Sequence, residues 1–293
     1  MRDCGRTDPA GLDDRLAGRE HGGFCPRFFV DNEPSRSAVS GSTAPSVAEI
    51  ALGAEDTQHA LKVLRVRKGD CCQVVTPSGR VYAAVVSAAT DPVRVEPTVL
   101  LEGATAGAAY RTKVGLVQAL ARPSLMDYVI EKGTEVGASF FLLVPASGSP
   151  RLREEVKADR LKRWRRIARE AAKQSRQTAV PWVDVAESVT SGLDGLSQSC
   201  SMTLILEPGA PEYLPHVLRA ALARSKRSGG EPAPGQRLCF SLWVGPEGGW
   251  TDAELHSVLA RGAVMARLGR AILRAETAGP VGVAVTRLEL DDW

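Results

Sequence analysis

The sequence is short of several things, and each absence narrows the field. No apolar run approaches the ~20 residues that a helical membrane span requires, so a helix-anchored protein is excluded. The six cysteines (Cys4, Cys25, Cys71, Cys72, Cys200 and Cys239) form no CxxC pair and no Cys/His cluster. They read as reduced thiols of a cytoplasmic protein, neither a disulfide frame nor a zinc site. His21, His59, His216 and His256 have no ligand-like spacing, so no metal is expected. There is no G-x-G-x-x-G and no P-loop, which argues against dinucleotide or nucleoside-triphosphate binding. The first two dozen residues lack the apolar core of a signal peptide. They read as a tail without a fold of its own, or as sequence upstream of a true start near Pro26; intact mass distinguishes the two.

Net charge is also nearly absent: 37 Lys and Arg stand against 34 Asp and Glu, a balance of +3. Its distribution is uneven. Arg151 to Arg176 holds 11 basic and four acidic residues, a local +7 that leaves the rest of the chain at −4. A concentrated basic stripe is the electrostatic footprint of a phosphate-rich partner, although a solvated helix face can look the same. Within Lys157–Gln177, Leu161, Trp164, Ala168, Ala171 and Ser175 follow a helical rhythm suited to packing on a sheet. Lys162, Arg166, Arg169 and Lys173 follow the same rhythm on another side, as one ridge. That alignment favours RNA or another polyanion.

With 44% hydrophobic and 24% charged residues over 293 positions, the chain is globular and long enough for one large or two ordinary domains. Order begins at Arg27-Phe28-Phe29-Val30. A helix over Glu55–Leu64 and β-rich stretches at Cys71–Thr76, Val81–Ser87 and Val93–Leu101 suggest a small β-barrel, and Ala104–Ala109 reads as a linker. Beyond it, apolar runs at Lys113–Gln118, Ser139–Val144, Met202–Leu206, Leu238–Val244 and Val264–Leu268 alternate with amphipathic helices. This is the grammar of a mainly parallel α/β sheet. Ser124 to Asp127 and Thr251 to Glu254 have the spacing of capping boxes.

Two segments near the carboxyl terminus carry the chemistry. Val244-Gly245-Pro246-Glu247-Gly248-Gly249 follows a strand and precedes the Thr251 cap, where glycines let backbone amides approach a ligand closely. Leu268-Gly269-Arg270-Ala271-Ile272-Leu273-Arg274-Ala275-Glu276-Thr277-Ala278 leads from a strand end into the last helix, with Pro280 read as part of its first turn. Each alone could be an ordinary tight turn or a capped helix start, but two glycine-bearing loops at two strand ends, one acidic and one basic, form a better pocket candidate than either alone.

These residues, with Ala171-Ala172-Lys173-Gln174-Ser175, Lys132-Gly133-Thr134-Glu135-Val136-Gly137, His59 to Arg65 and Arg27-Phe28-Phe29, resemble the RsmE family of the SPOUT superfamily in the family's order from about residue 26 onward. The resemblance implies S-adenosylmethionine-dependent methylation of N3 of a uridine in 16S rRNA of the small ribosomal subunit. It implies an α/β trefoil knot with an amino-terminal PUA-like β-barrel: a tail at 1–25, the barrel at 26–105 and the methyltransferase domain at 110–293. It further implies a homodimer. By motif position the cofactor loops are Leu206-Glu207-Pro208, Val244 to Gly249, and Leu268, Gly269, Ile272 and Leu273.

The chemistry makes its own demands. Uridine N3 becomes a nucleophile only when its imide proton leaves, so the site needs a proton acceptor and donors for the developing anion. Arg274, Glu276 and Glu247 are the residues of those types in the loops. Arg27, Arg65, Lys162, Arg166, Arg169 and Lys173 are the expected phosphate contacts. Departures from the family pattern fall outside the cofactor loops. Ser147-Gly148-Ser149-Pro150 stands where an Arg is usual, Gln174-Ser175-Arg176-Gln177 displaces another Arg by one position, Pro77-Ser78-Gly79 replaces an Asp-Gly turn, and Gly279-Pro280 interrupts the last helix. The altered arginines leave room for a SPOUT enzyme acting on another rRNA or tRNA site, or for a non-catalytic ribosome-assembly factor. A small-molecule enzyme is disfavoured by the basic ridge.

Overall fold

A computed structural model of the chain describes residues 25–34, 48–102, 112–149, 158–197, 199–227 and 238–291. The expected tail, apart from Cys25, and the Ala104–Ala109 linker lie outside these residues, as do Arg151, Arg153 and Lys157 of the basic stripe. Between Ala109 and Tyr110 the chain divides into two compact units.

The first unit is built on a five-stranded sheet of β1 (Arg27–Phe29), β2 (Ile50–Ala51), β3 (Cys71–Val75), β4 (Val81–Ala88) and β5 (Arg94–Glu102), in the order β1-β3-β4-β5-β2. All neighbours are antiparallel except β1 and β3. Register shifts along β4 and β5 bend the pair, since an extra residue on one strand sharpens the local twist. The result is a curled, open half-barrel, because β1 and β2 remain separate edges among the described residues. Phe28, Val74, Ala84, Val86, Val93 and Val95 fill its concave side. The expected helix over Glu55–Leu64 is a short α-helix, α1 (Ala54–Gln58), that widens into a π-turn at His59–Leu64 and stops at Arg65, whose φ of 54° is left-handed.

The second unit is a six-stranded, wholly parallel sheet. Its strands are β6 (Lys113–Ala119), β7 (Phe140–Val144), β8 (Trp182–Val185), β9 (Met202–Leu206), β10 (Cys239–Val244) and β11 (Val264–Ala266), ordered β11-β9-β10-β6-β7-β8. Strands buried on both faces read as continuous apolar runs, which is why β7 and β10 were legible without alternation. Five of the six were expected from such runs; β8, four residues long, was not. Helices α2 (Pro123–Glu135), α3 (Ala158–Gln174), α5 (Leu214–Arg227) and α7 (Ala275–Glu289) pack on one another along one core. Helices α4 (Val189–Ser197) and α6 (Asp252–Leu259) pack into another.

Three local expectations need correction. Ser124 does not cap α2, which starts at Pro123 after Arg122 and has no side-chain cap. The Asp127 carboxylate instead accepts from the Trp164 indole (3.1 Å) and the Arg163 guanidinium (2.8 Å), fastening α3 to α2. Gly279-Pro280 does not interrupt α7, and Pro280 lies beyond its first turn. The two glycines of α7 let it lie close to the sheet: a Cβ on Gly279 would sit 2.7 Å from Leu116 and one on Gly282 2.6 Å from Leu206. At its far end the fully buried Arg287 donates to the carbonyls of Gly137 (2.7 Å) and Thr112 (2.7 Å), a tie that no local pattern announced. Third, Cys200 and Cys239 are joined as a disulfide where reduced thiols were expected, while Cys72 is a buried thiol. No described helix is long and apolar enough to cross a membrane.

Candidate active site

A parallel sheet leaves a crevice at the carboxyl ends of its strands where neighbouring connections diverge to opposite sides. Here β10 lies between β9 and β6, and the loops leaving β9, β10 and β11 meet around a cavity of about 730 Å³. Volumes of this order admit a cofactor-sized ligand. Every residue expected in the cofactor loops lines it: Leu206, Glu207 and Pro208 after β9, Val244 to Gly249 after β10, and Leu268, Gly269, Ile272 and Leu273 after β11. Arg274 and Glu276 also line it.

The loops are held by backbone contacts that follow from their sequence. The Glu207 amide donates to the Ala266 carbonyl (3.0 Å), tying the β9 loop to β11. The turn after β10 closes with the Gly249 amide on the Pro246 carbonyl (2.9 Å), and Gly249 takes a φ of 76°, a left-handed conformation that favours glycine. The next helix is fixed by the expected capping box: the Thr251 hydroxyl accepts from the Glu254 amide, and the Glu254 carboxylate accepts from the Thr251 amide at 2.9 Å. That carboxylate also accepts from the Ser147 amide (2.7 Å), so the loop after β7, where an Arg is usual, is anchored to α6. Burial pushes the Glu254 acid up, but these amide and hydroxyl hydrogen bonds outweigh it and hold it below the usual carboxylate range.

Two ion pairs edge the cavity. Arg274 Nη1 lies 3.9 Å from Glu276 Oε1, with Arg274 87% exposed and Glu276 only 14%. Arg122 Nη2 lies 3.5 Å from Glu247 Oε1, both largely exposed. Arg122 was missed in the sequence. Its signal was positional: it stands where β6, the neighbour of β10, delivers the chain into α2. Arg274 also occupies the N-cap position of α7 and its side chain makes no cap bond.

The expected phosphate contacts fare unevenly. Lys162 and Arg166 are exposed on α3 and Arg65 is exposed on the other unit, whereas Arg169 is half-buried. Lys173 is only 9% exposed and bonds Glu170 at 2.7 Å. Arg27 is buried, with its guanidinium donating to Gln73 at 2.8 and 3.0 Å, so it serves the first unit's core and not its surface. For Lys173 the reason is that a periodic pattern places a cation on a face but does not reveal the acceptor that claims it.

Comparison with known proteins accords with this geometry. The RNA methyltransferase domain family matches residues 109–287. Ribosomal RNA small subunit methyltransferase E from Synechocystis is 32% identical over 81% of this chain and 72% of its own length. This chain belongs to that family. The Mycobacterium bovis member is 29% identical over 91% of the chain and 92% of its own. A crystal structure of the Neisseria gonorrhoeae member bound to S-adenosyl methionine shares the fold, with a TM-score of 0.69 over 90% of this chain and 98% of that one at 23% identity. Family membership therefore supports methylation of ribosomal RNA as the activity to be tested against the site.

Proposed function

We propose that the chain methylates N3 of a uridine in 16S rRNA of the small ribosomal subunit, using S-adenosylmethionine held in the 730 Å³ cavity. The observation that carries this reading is the convergence of all three motif loops on that one cavity, with an exposed arginine and a shielded carboxylate side by side on its wall. The cavity suits the cofactor. Leu206, Leu268, Ile272 and Leu273 offer apolar surface for a purine, glycines expose backbone groups, and Glu207, Glu247 and Glu276 offer negative charge to a cation. The bound cofactor supplies a methyl group activated on a sulfonium.

The chain's own residues do the rest. Glu276, shielded at the start of α7, accepts or orients the N3 proton. As that proton leaves, charge spreads to the uracil O2 and O4. Arg274 and the amino terminus of α7 stabilise it, because a helix amino terminus favours negative charge. Glu247 holds Arg122 at the rim. Lys162, Arg166, Arg169 and Arg65 contact RNA phosphates. We further infer that the second unit is threaded as a SPOUT trefoil knot, that the half-barrel is PUA-like, and that the protein acts as a cytoplasmic homodimer.

The test is methyl transfer by the purified chain from labelled S-adenosylmethionine to small-subunit RNA, followed by digestion to nucleosides. Label in 3-methyluridine supports the proposal. Label in another nucleoside moves the target within the family, and cofactor-free RNA binding with no transfer favours an assembly factor.

A further inference from the structure

At the opposite, amino-terminal edge of the parallel sheet, Cys200 and Cys239 stand at the starts of neighbouring strands β9 and β10. Their Cα atoms are 4.4 Å apart, within the span a disulfide bridges, and their sulfurs are bonded. The register is fixed by the Ser201 amide, which donates to the Cys239 carbonyl at 2.7 Å. The two cysteines differ in access. Cys239 is only 3% exposed, whereas Cys200 is half-buried; both line a cavity of about 450 Å³, and of the two only Cys200 lines a second, of about 540 Å³. The larger has a mixed lining, apolar in part and carrying Ser197, Ser201, Thr203, Arg224 and Arg261, the last paired with Asp194 at 3.0 Å.

We propose that Cys200–Cys239 is a reversible thiol–disulfide site that exchanges with anionic low-molecular-weight thiols, entered from the Cys200 side. Cys200 lines a cavity of small-ligand size, which gives a small thiol access to its sulfur. In the reducing direction a small thiolate attacks Cys200 Sγ. The Cys200–Cys239 bond breaks, and Cys239 leaves as a thiolate that takes up a proton. A second small thiolate then attacks the small-molecule sulfur of the mixed disulfide, forming a low-molecular-weight disulfide and releasing Cys200 as the thiolate. Two small thiols are thereby oxidised and one protein disulfide is reduced, a balanced two-electron exchange that runs backward when the low-molecular-weight disulfide is in excess. The site is separate from the methylation reading and survives if that reading fails. It lies on the two strands whose far ends carry the Leu206–Pro208 and Gly245–Gly249 loops.

The full-length native protein is equilibrated with reduced and oxidised glutathione in varied ratio, quenched with acid, alkylated and mapped without reduction by mass spectrometry. The expected result is a cross-linked Cys200–Cys239 peptide that disappears in excess reduced glutathione and returns in oxidised glutathione. In C239S, oxidised glutathione should leave a glutathione adduct on Cys200, whereas in C200S Cys239 should stay unmodified. A bond that opens only in denaturant, two separate thiols under oxidising conditions, or equal modification of both cysteines in the two variants would overturn the proposal. The wild-type cycle decides the matter if either serine variant fails to fold.

Discussion

Arg274 and Glu276 are two positions apart, yet one is open to solvent and the other shielded at the mouth of α7. In the proposed mechanism that difference suits the cation to charge stabilisation and the carboxylate to the proton. Arg274→Ala is expected to lower kcat for methyl transfer by about 10²–10³-fold, the usual cost of removing one donor to a developing anion. Cofactor affinity, measured by calorimetry, should change little. Arg27 tests the opposite kind of assignment. Because its buried guanidinium donates to Gln73, Arg27→Ala should cost roughly 1–3 kcal/mol in denaturant unfolding by removing two hydrogen bonds to a buried amide oxygen. The salt dependence of RNA binding should stay unchanged; a reduced salt slope would restore Arg27 as a phosphate contact. At this scale the sequence was a good guide where a residue's role lies in its backbone, as at Gly249, and a poor one where it lies in a distant partner. Arg27 finds Gln73, Arg287 finds Thr112 and Gly137, and Arg122 finds Glu247, all far away along the chain.

Elements were legible in proportion to the locality of their causes. The capping box at Thr251 is complete within four residues and forms as expected. The same spacing at Ser124 misled, because Pro123 already suits a first helical position and Asp127 is claimed by Trp164 and Arg163. Strand β8 escaped notice because four residues after a proline give too short a pattern, and its placement depends on pairing with β7. The Thr251 cap gives a prediction at this scale. Thr251→Ala should cost about 1 kcal/mol in thermal or denaturant unfolding. Folding lowers the Glu254 pKa, so its contribution is complete above the unfolded value of 4.5 and is lost as pH falls through the folded one. The variant should therefore show a shallower acid-side loss of stability than the parent, read from melting temperatures across that range. Equal slopes would mean that the backbone amides of residues 251 and 147, which the substitution leaves in place, set the carboxylate's environment.

For the whole molecule, near-neutral charge conceals a basic helix face, and packing decides how much of that face is available. Arg163 and Arg165 are held by Asp127 and by the Val183 carbonyl, and Lys173 by Glu170, which leaves Lys162 and Arg166 as the exposed members of the ridge. Replacing both with Ala should weaken RNA binding and reduce the slope of log K against log salt by about 1.4–1.8, at roughly 0.7–0.9 per phosphate contact. An unchanged slope would mean that this ridge faces solvent only. The most direct test of the central claim is nucleoside analysis of small-subunit rRNA from cells with and without this gene. Loss of 3-methyluridine on deletion, restored by the wild-type chain but not by Arg274→Ala, is the predicted result. Undiminished 3-methyluridine in the deletion strain would contradict it.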